Sequence, residues 1–302
     1  MKFNLIFFFA NNKKPDFDKI DEYLRDRNEI KVLDLEENRK YFYEHPHTGV
    51  KAELVYLAKF ADENITKPYN FPGFTQSPFS FWIEIKRPTF YALELMPFVT
   101  EFVQNFELYI FDPQTQTHKQ PAIHTTADLI ASWEEQNSKL ITNLQSKKFN
   151  NLTYIPRKQS NSWWKYMFQL ENFRNNTPVD VVFPDMMILM DNKTKKLVRT
   201  VTWVDFLPIA IPQCENIAII ETKGVFSSRF SDLGVYHLSD ILQNFGNLFE
   251  DVMILDTKFK IIRDESIEEA ADLVHEKLKN INSQKSRKFT FISANNFVDF
   301  SA

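Results

Sequence analysis

The chain opens with apolar runs and amphipathic segments that follow the periods of strands and helices in turn. Residues 2–10 are predominantly apolar at both alternating sets of positions, which predicts a strand buried on both faces. Residues 16–27 repeat apolar side chains at helical spacing behind Asp16, a good N-cap residue, and so predict a short helix. Two strand-like runs flank residues 45–49, whose proline and glycine favour a turn. A hairpin is therefore expected there.

The following segment extends this order to one recognisable layout. Residues 79–86 predict a further strand, and residues 88–106 predict a helix in two parts, with Pro97 in the first turn of the second part. Residues 107–113 then predict a closing strand. The order over residues 1–113 is thus β-α-β-β-β-α-β, which with one hairpin extended is close to a ferredoxin-like sandwich of an antiparallel sheet and helices on one face.

The remaining two thirds of the chain predict a connector and a second lobe. Residues 114–162 contain one amphipathic helix and a basic, Asn-rich loop, as expected of a boundary between lobes. Residues 163–302 again mix strands and helices, so the predicted fold class is α+β: a ferredoxin-like N-terminal lobe plus a second mixed α/β lobe. The expected strands of this lobe are 179–191, 196–206, 215–222 and 251–256, its expected helices are about 229–245 and 266–281, and 207–212 is an edge or crossing segment.

The amino-acid composition argues against several classes of function. The chain has 302 residues, 43% of them hydrophobic, which is enough for a sizeable core. Only five residues are glycine, and they form neither a dinucleotide fingerprint nor a P-loop. The net charge of −4 argues against a dedicated nucleic-acid binder, because such proteins usually carry a basic surplus. We therefore expect no cofactor and no nucleic-acid partner.

Cysteine usage and hydropathy indicate the compartment. Cys214 is the single cysteine, so no intramolecular disulfide is possible, and a buried structural role is more common for such a residue than a catalytic one. No segment approaches the ~18 apolar residues of a membrane span. The apolar run at the start of the chain is short and lacks a small-residue cleavage site. These features predict a soluble cytoplasmic protein without a membrane partner.

One motif suggests catalysis. Asp185 follows a proline, and Glu221 and Lys223 form a Glu-x-Lys string at the end of an apolar strand. In a PD-(D/E)XK-type nuclease the two carboxylates hold Mg²⁺ and the lysine orients the attacking water. A whole strand separates the Asp strand from the Glu strand here, and such short strings also arise by chance. The nuclease is therefore the alternative hypothesis. Under the leading hypothesis no residue of the chain is expected to be catalytic.

A metal site elsewhere is not expected. His45 and His47 alternate across a turn next to Glu44, which is compatible with metal binding. Solvated turn histidines are more common, and the sequence offers no matching cluster of Cys or His.

Two segments carry a resemblance beyond composition, "FSFWIEIKRPTFYALELMPFVTEFVQNFELYIFDPQ" (79–114) and "VRTVTWVDFLPIAIPQCENIAII" (198–220). Together they resemble a poorly described family of bacterial cytoplasmic proteins that join a ferredoxin-like front to a β-rich rear and occur around interbacterial toxin loci. The resemblance implies an immunity protein, whose partner is a cognate toxin. It covers about a fifth of the chain and transfers no functional residue.

Acidic segments are the expected contact faces for such a partner. Toxins that attack nucleic acids are often basic, and an acidic partner gains association rate from electrostatic steering. An ordinary solvated surface is the competing interpretation of these segments. The candidate partner-binding residues are Asp16, Asp18, Asp21, Glu22, Asp34, Glu36 and Glu37.

Three hypotheses follow from the sequence. The leading one is a non-catalytic immunity protein (antitoxin) that neutralises a bacterial toxin by direct complex formation. The second is the metal-dependent nuclease, and the third is a ligand-sensing regulator built on the ferredoxin-like lobe. Adjacent Asp and Glu strands would favour the second hypothesis, and a buried polar pocket would favour the third.

Overall fold

The computed structural model divides the chain into two compact units. The first unit consists of Met1–Leu152 with Ala294–Asp299, and the second of Thr153–Ser293 with Phe300–Ala302. The predicted connector 114–162 is thus shared between the units, because its helix belongs to the first and residues from 153 onward belong to the second. The residues described are 1–10, 13, 16–36, 38–57, 69–115, 119–146, 153–177, 180–222, 230–263, 271, 276, 278, 281 and 288–300.

The first unit contains six strands and three helices among the described residues of its N-terminal part. These elements are β1 (Lys2–Ala10), α1 (Phe17–Arg25), β2 (Ile30–Asp34), β3 (Asn38–Glu44), β4 (Lys51–Leu57), β5 (Phe74–Glu84), α2 (Phe90–Asn105), β6 (Tyr109–Phe111) and α3 (Thr126–Ser146).

All six strands form one antiparallel sheet in the order β2-β3-β4-β5-β1-β6. If the edge hairpin β2–β3 is set aside, the order β4-β5-β1-β6 is that of the ferredoxin-like motif. The α+β class is therefore confirmed, and the extended hairpin adds one strand more than predicted. β2 is the missed strand: it lies at the sheet edge and only Ile30 of its five residues is buried, so its sequence has no clear apolar face.

Helices α1 and α2 pack on the same face of this sheet. Phe7 of β1 lies 5.4 Å, between ring centroids, from Phe102 of α2, and Phe79 of β5 lies 6.2 Å from both Phe102 and Phe17 of α1. Burial of such aromatic side chains supplies roughly 1.5–3 kcal/mol each. On the opposite face Ile6, Phe8 and Phe111 form a smaller cluster.

Helix α2 differs from its prediction at one point. It runs without interruption from Phe90 to Asn105, so Pro97 lies inside it and not at the start of a separate segment. A proline there removes one backbone hydrogen bond, which is normally costly. The helix is buried on most sides, and Thr100 adds a hydrogen bond from its hydroxyl to the Met96 carbonyl. Packing against its neighbours therefore outweighs the local cost.

The second unit contains two sheets and three α-helices whose bounds the structure describes. Its elements are β7 (Thr153–Pro156), α4 (Arg157–Phe168), α5 (Leu170–Asn176), β8 (Met186–Asp191), β9 (Leu197–Val204), β10 (Ile209–Pro212), β11 (Asn216–Thr222), β12 (Phe230–His237), α6 (Leu238–Phe245), β13 (Glu250–Ile254), β14 (Thr257–Ile262) and β15 (Phe289–Phe291). A last strand, β16 (Phe297–Phe300), ends the described part of the chain.

A five-stranded sheet has the order β12-β11-β9-β8-β15, and a three-stranded sheet has the order β10-β14-β13. Only the β9–β11 pair is parallel; the other described pairs of these sheets are antiparallel. Helix α4 packs on the larger sheet, where the Trp163 indole donates a hydrogen bond to the Met186 carbonyl at 2.6 Å. β10 lies at a sheet edge, in agreement with the prediction from its prolines.

Two predictions for this unit need correction. The segment expected to be helical from 229 to 245 begins as strand β12, and only residues 238–245 are helical. The loop expected at 146–162 includes β7 and the first turns of α4. Most of the helix predicted at 266–281 lies outside the described residues. Within the described part of the chain, no helix combines the length and the apolarity needed to cross a membrane.

Candidate functional site

The nuclease residues do not meet in the part that the structure describes. Asp185 directly precedes β8, Glu221 lies near the end of β11, and β9 separates these strands. Their Cα atoms are roughly 14 Å apart, from two strand spacings and a shift of three residues. The Asp185 carboxylate accepts a hydrogen bond from the Arg174 guanidinium at 3.1 Å. Lys223 lies outside the described residues.

Metal-ligating side chains are not clustered in the described ranges. No group of three or more His, Cys, Asp or Glu residues there is arranged to hold a metal ion. The His45 Nδ1 atom accepts hydrogen bonds from the backbone amides of His47 and Thr48, at 3.3 and 3.2 Å. Burial, with a smaller effect of His47, lowers the pKa of His45. The Nδ1 atom of His45 therefore stabilises the hairpin turn.

Cys214 is buried, as predicted. Burial raises the pKa of its thiol to about 12, so the thiol stays protonated at neutral pH. A protonated, inaccessible thiol is a poor nucleophile. The residue therefore contributes to packing.

The acidic residues proposed for partner binding lie at one corner of the first unit. Asp16 is the N-cap of α1 and accepts a hydrogen bond from the Lys19 amide at 3.2 Å, as predicted. The other described members are on α1 or on the segment that ends β2, and Glu37 lies outside the described residues. Three of these acidic residues form ion pairs with nearby cations: Asp16 with Lys19, and Asp21 and Asp34 each with Arg25 and Arg39.

A groove of about 450 Å³ opens between α1 and strands β3 and β4 at this corner. We call it the acidic groove. Its charged residues are three carboxylates and one guanidinium, and its other lining residues are mainly aromatic. The lining residues are Phe17, Asp18, Asp21, Leu35, Glu36, Asn38, Arg39, Tyr41, Tyr56 and Phe79.

The aromatic floor of the acidic groove was not predicted from the sequence. Tyr56 packs 5.0 Å from Phe79 and 5.9 Å from Phe17, between ring centroids. Leu33 and Leu35 next to the groove are 47% and 44% exposed. The pairing of β4 with β5 places Tyr56 opposite Phe79, and the periodicity of the sequence does not show such pairing. Aromatic side chains beside exposed apolar ones are typical of protein contact surfaces.

An ion-pair network holds one wall of the groove. The Asp21 carboxylate accepts hydrogen bonds from Tyr41 at 2.6 Å and from Arg25 at 2.9 Å, and it lies 2.7 Å from Arg39. Arg25 also bonds to Asp34 at 3.1 Å, and Arg39 pairs with Asp34. This network neutralises two of the acidic residues proposed for partner binding. Asp18 and Glu36, which are exposed, take no part in it.

The network shifts the titration of Asp21. Burial by itself raises the pKa of this carboxyl, but the hydrogen bonds from Tyr41 and Arg25 and the charge of Arg39 outweigh burial, and the pKa is lowered. The pKa of Asp34 is also lowered, chiefly by Arg25. A lowered folded-state pKa stabilises the fold above the unfolded-state value of about 3.9, and this contribution is lost as the pH falls through the folded-state value.

Asp21→Asn is therefore expected to lose less stability than the wild-type protein as the pH falls into the acid range. At pH 7 the variant should be less stable by about 1 kcal/mol, since the network is solvent-screened. Between about pH 4 and pH 2 the wild-type protein should lose this advantage, because the pKa of Asp21 lies below the reference value of about 3.9. Thermal unfolding across this range measures the effect. Asp18→Asn is the matched control, and an equally reduced loss of stability in that variant would contradict the assignment to the network.

Comparison of the chain with known protein families, with curated proteins and with solved structures gives no match. The functional argument therefore depends on the geometry of the acidic groove.

Proposed function

We propose that this protein acts by binding another protein through the acidic groove, and not by catalysis. The observation that carries the proposal is the combination in one groove of an aromatic floor and a carboxylate rim. Phe17 and Tyr56 are half-buried in this groove and can serve as anchor sites, at which interface energy concentrates, whereas Tyr41 and Phe79 belong to the buried core. A surplus of carboxylates steers and selects a basic partner.

The partner that we propose is a bacterial toxin, and the protein would then be its cytoplasmic immunity protein. Two considerations support this choice. A toxin that attacks nucleic acid needs a basic surface to hold its substrate, and such a surface complements the acidic groove. The resemblance of residues 79–114 and 198–220 to proteins of interbacterial toxin loci suggests the same class. Occlusion of the basic surface would then neutralise the toxin without any reaction.

Co-expression with the product of the neighbouring reading frame tests this proposal. We expect growth to be rescued from that product's toxicity and a stoichiometric complex to co-purify. The complex should weaken as salt increases, because electrostatic attraction between exposed charges is screened beyond about 8 Å at physiological ionic strength. Rescue without a complex, or a complex that forms equally well in high salt, would contradict binding through the acidic groove.

A further inference from the structure

A second cavity lies within the second unit and differs in charge from the acidic groove. Its volume is about 520 Å³, which is within the range of small-molecule sites. Side chains of α4, the end of β10, α6 and the β13–β14 hairpin surround it. We call it the lysine pocket. Three lysines line it, Lys165, Lys258 and Lys260, with two carboxylates, Asp251 and Asp256.

The charges of the lysine pocket do not cancel. Lys258 and Lys260 are two residues apart on β14 and so project from the same side of the strand. Both are near the Asp251 carboxylate of β13, at 3.4 and 2.8 Å, so one carboxylate is shared between two ammonium groups. Lys165 adds a third ammonium from α4, on a different element. With Asp256 at the hairpin tip, three positive charges face two negative ones.

The apolar wall of the pocket is held in place by the core. Tyr166 is buried, donates a hydrogen bond to the Pro184 carbonyl at 2.6 Å, and packs 6.1 Å from the Phe259 ring. Ile211 and Leu238 are also buried, whereas Leu242 is only half-buried. Because these residues belong to packed elements, the wall is formed before any ligand binds. A preformed apolar wall with a few charged groups is the usual construction of a small-ligand site.

We propose that the lysine pocket binds an amphipathic monoanion, a small molecule with an apolar body and one carboxylate or sulfonate group. The apolar body would lie against Met186, Ile211 and Leu242, and the anionic group would contact the ammonium groups of Lys165 and Lys258. Removal of the apolar body from water supplies affinity, and the lysines supply selectivity. This site is separate from the proposed partner site and does not depend on it.

Three ligands with the same chain test charge selection. Decanoate, decanol and decylammonium would each be titrated into the full-length protein by calorimetry. We expect decanoate to bind at least about 10-fold more tightly than decylammonium, which corresponds to about 1.4 kcal/mol. Decanol should have intermediate affinity. Equal affinities for the three would overturn the proposal, since the lysines would then play no part. Binding of oligoglutamate without binding of decanoate would overturn it in favour of an acidic-peptide surface.

Variants locate the binding site. Lys165→Glu with Lys258→Glu is expected to weaken decanoate binding at least 10-fold, and Leu242→Gln should weaken both decanoate and decanol. Lys258 is 64% exposed at its side chain, so its replacement leaves the core intact. Lys139→Glu, on α3 of the first unit, is the matched control and should change nothing. Unchanged decanoate affinity in the double variant, with a folded circular dichroism spectrum, would place the binding elsewhere and overturn the assignment.

Discussion

Arg199→Ala is expected to lower the free energy of unfolding by about 3 kcal/mol, the lower end of the range for breaking a buried ion pair. Arg199 on β9 is 5% exposed and Glu215 is 28% exposed at its side chain. The guanidinium Nε lies 3.0 Å from Glu215 Oε2, and the Arg199 amide donates to the same oxygen at 2.8 Å. The guanidinium also donates to the Ser162 hydroxyl of α4 at 2.9 Å. Its removal leaves a partly buried carboxylate without its cation.

Chemical denaturation measures this effect. Urea titration should give a lower midpoint for Arg199→Ala, and the slope indicates whether the exposed surface on unfolding has changed. Arg263→Ala is a suitable control in the same unit, because its pair with Glu250 at 3.0 Å is exposed. Exposed pairs contribute about 0–1 kcal/mol, so the control should be close to wild type. If both variants lost a similar free energy of unfolding, burial would not determine how much the Arg199–Glu215 pair contributes to stability. Arg199→Lys should restore only part of the loss, since lysine cannot form the bidentate contact.

The pair also explains why part of the second unit was difficult to predict. In sequence, Arg199 is one charged residue in an otherwise apolar and Thr-rich strand, and its partner lies sixteen positions later. The hydrophobic periodicity around Arg199 does not show that the Glu215 carboxylate, which lies in another segment, will contact the guanidinium. Buried charges are rare unless paired, so the residue signals that a partner exists but not which one.

Elements with strong local signals were predicted well. Asp16 caps α1 because its side chain accepts a hydrogen bond from the Lys19 amide, only three residues along the chain. The turn at residues 45–49 joins β3 to β4 as expected, because Gly49 has φ of +66°, a conformation that favours glycine. In both cases residues close in sequence determine the structure.

Elements that depend on distant partners were predicted poorly. β12 pairs along its length with β11 and forms a strand where a helix was expected. Strand formation reflects the neighbouring strand more than an intrinsic backbone preference. The acidic groove has one part that local sequence predicts and one part that depends on strand pairing. Its carboxylate rim could be predicted from the charged segments, whereas its floor of Tyr41, Tyr56 and Phe79 depends on the register of three strands.

The largest functional effect is expected from reversing the free carboxylates of the acidic groove. Asp18→Lys with Glu36→Lys changes the charge of the groove lining from three carboxylates and one guanidinium to one carboxylate and three cations. Opposition of like charges across an interface costs several kcal/mol. We therefore expect the proposed basic partner to bind at least about 100-fold more weakly, which corresponds to about 2.7 kcal/mol. Growth rescue in co-expression should be lost.

The design of this test separates binding from stability. Asp18 and Glu36 are exposed and lie outside the Asp21–Arg25–Asp34–Arg39 network, so the double variant should unfold close to the wild-type midpoint. A matched control reverses two charges elsewhere in the first unit, the half-buried Glu134 and the exposed Glu135 on α3, as Glu134→Lys with Glu135→Lys. That control should keep the complex, because α3 contributes nothing to the groove lining. If the groove variant binds like wild type, the acidic groove is not the contact surface. If both variants bind weakly, total charge rather than the groove governs association, and the proposed site is wrong.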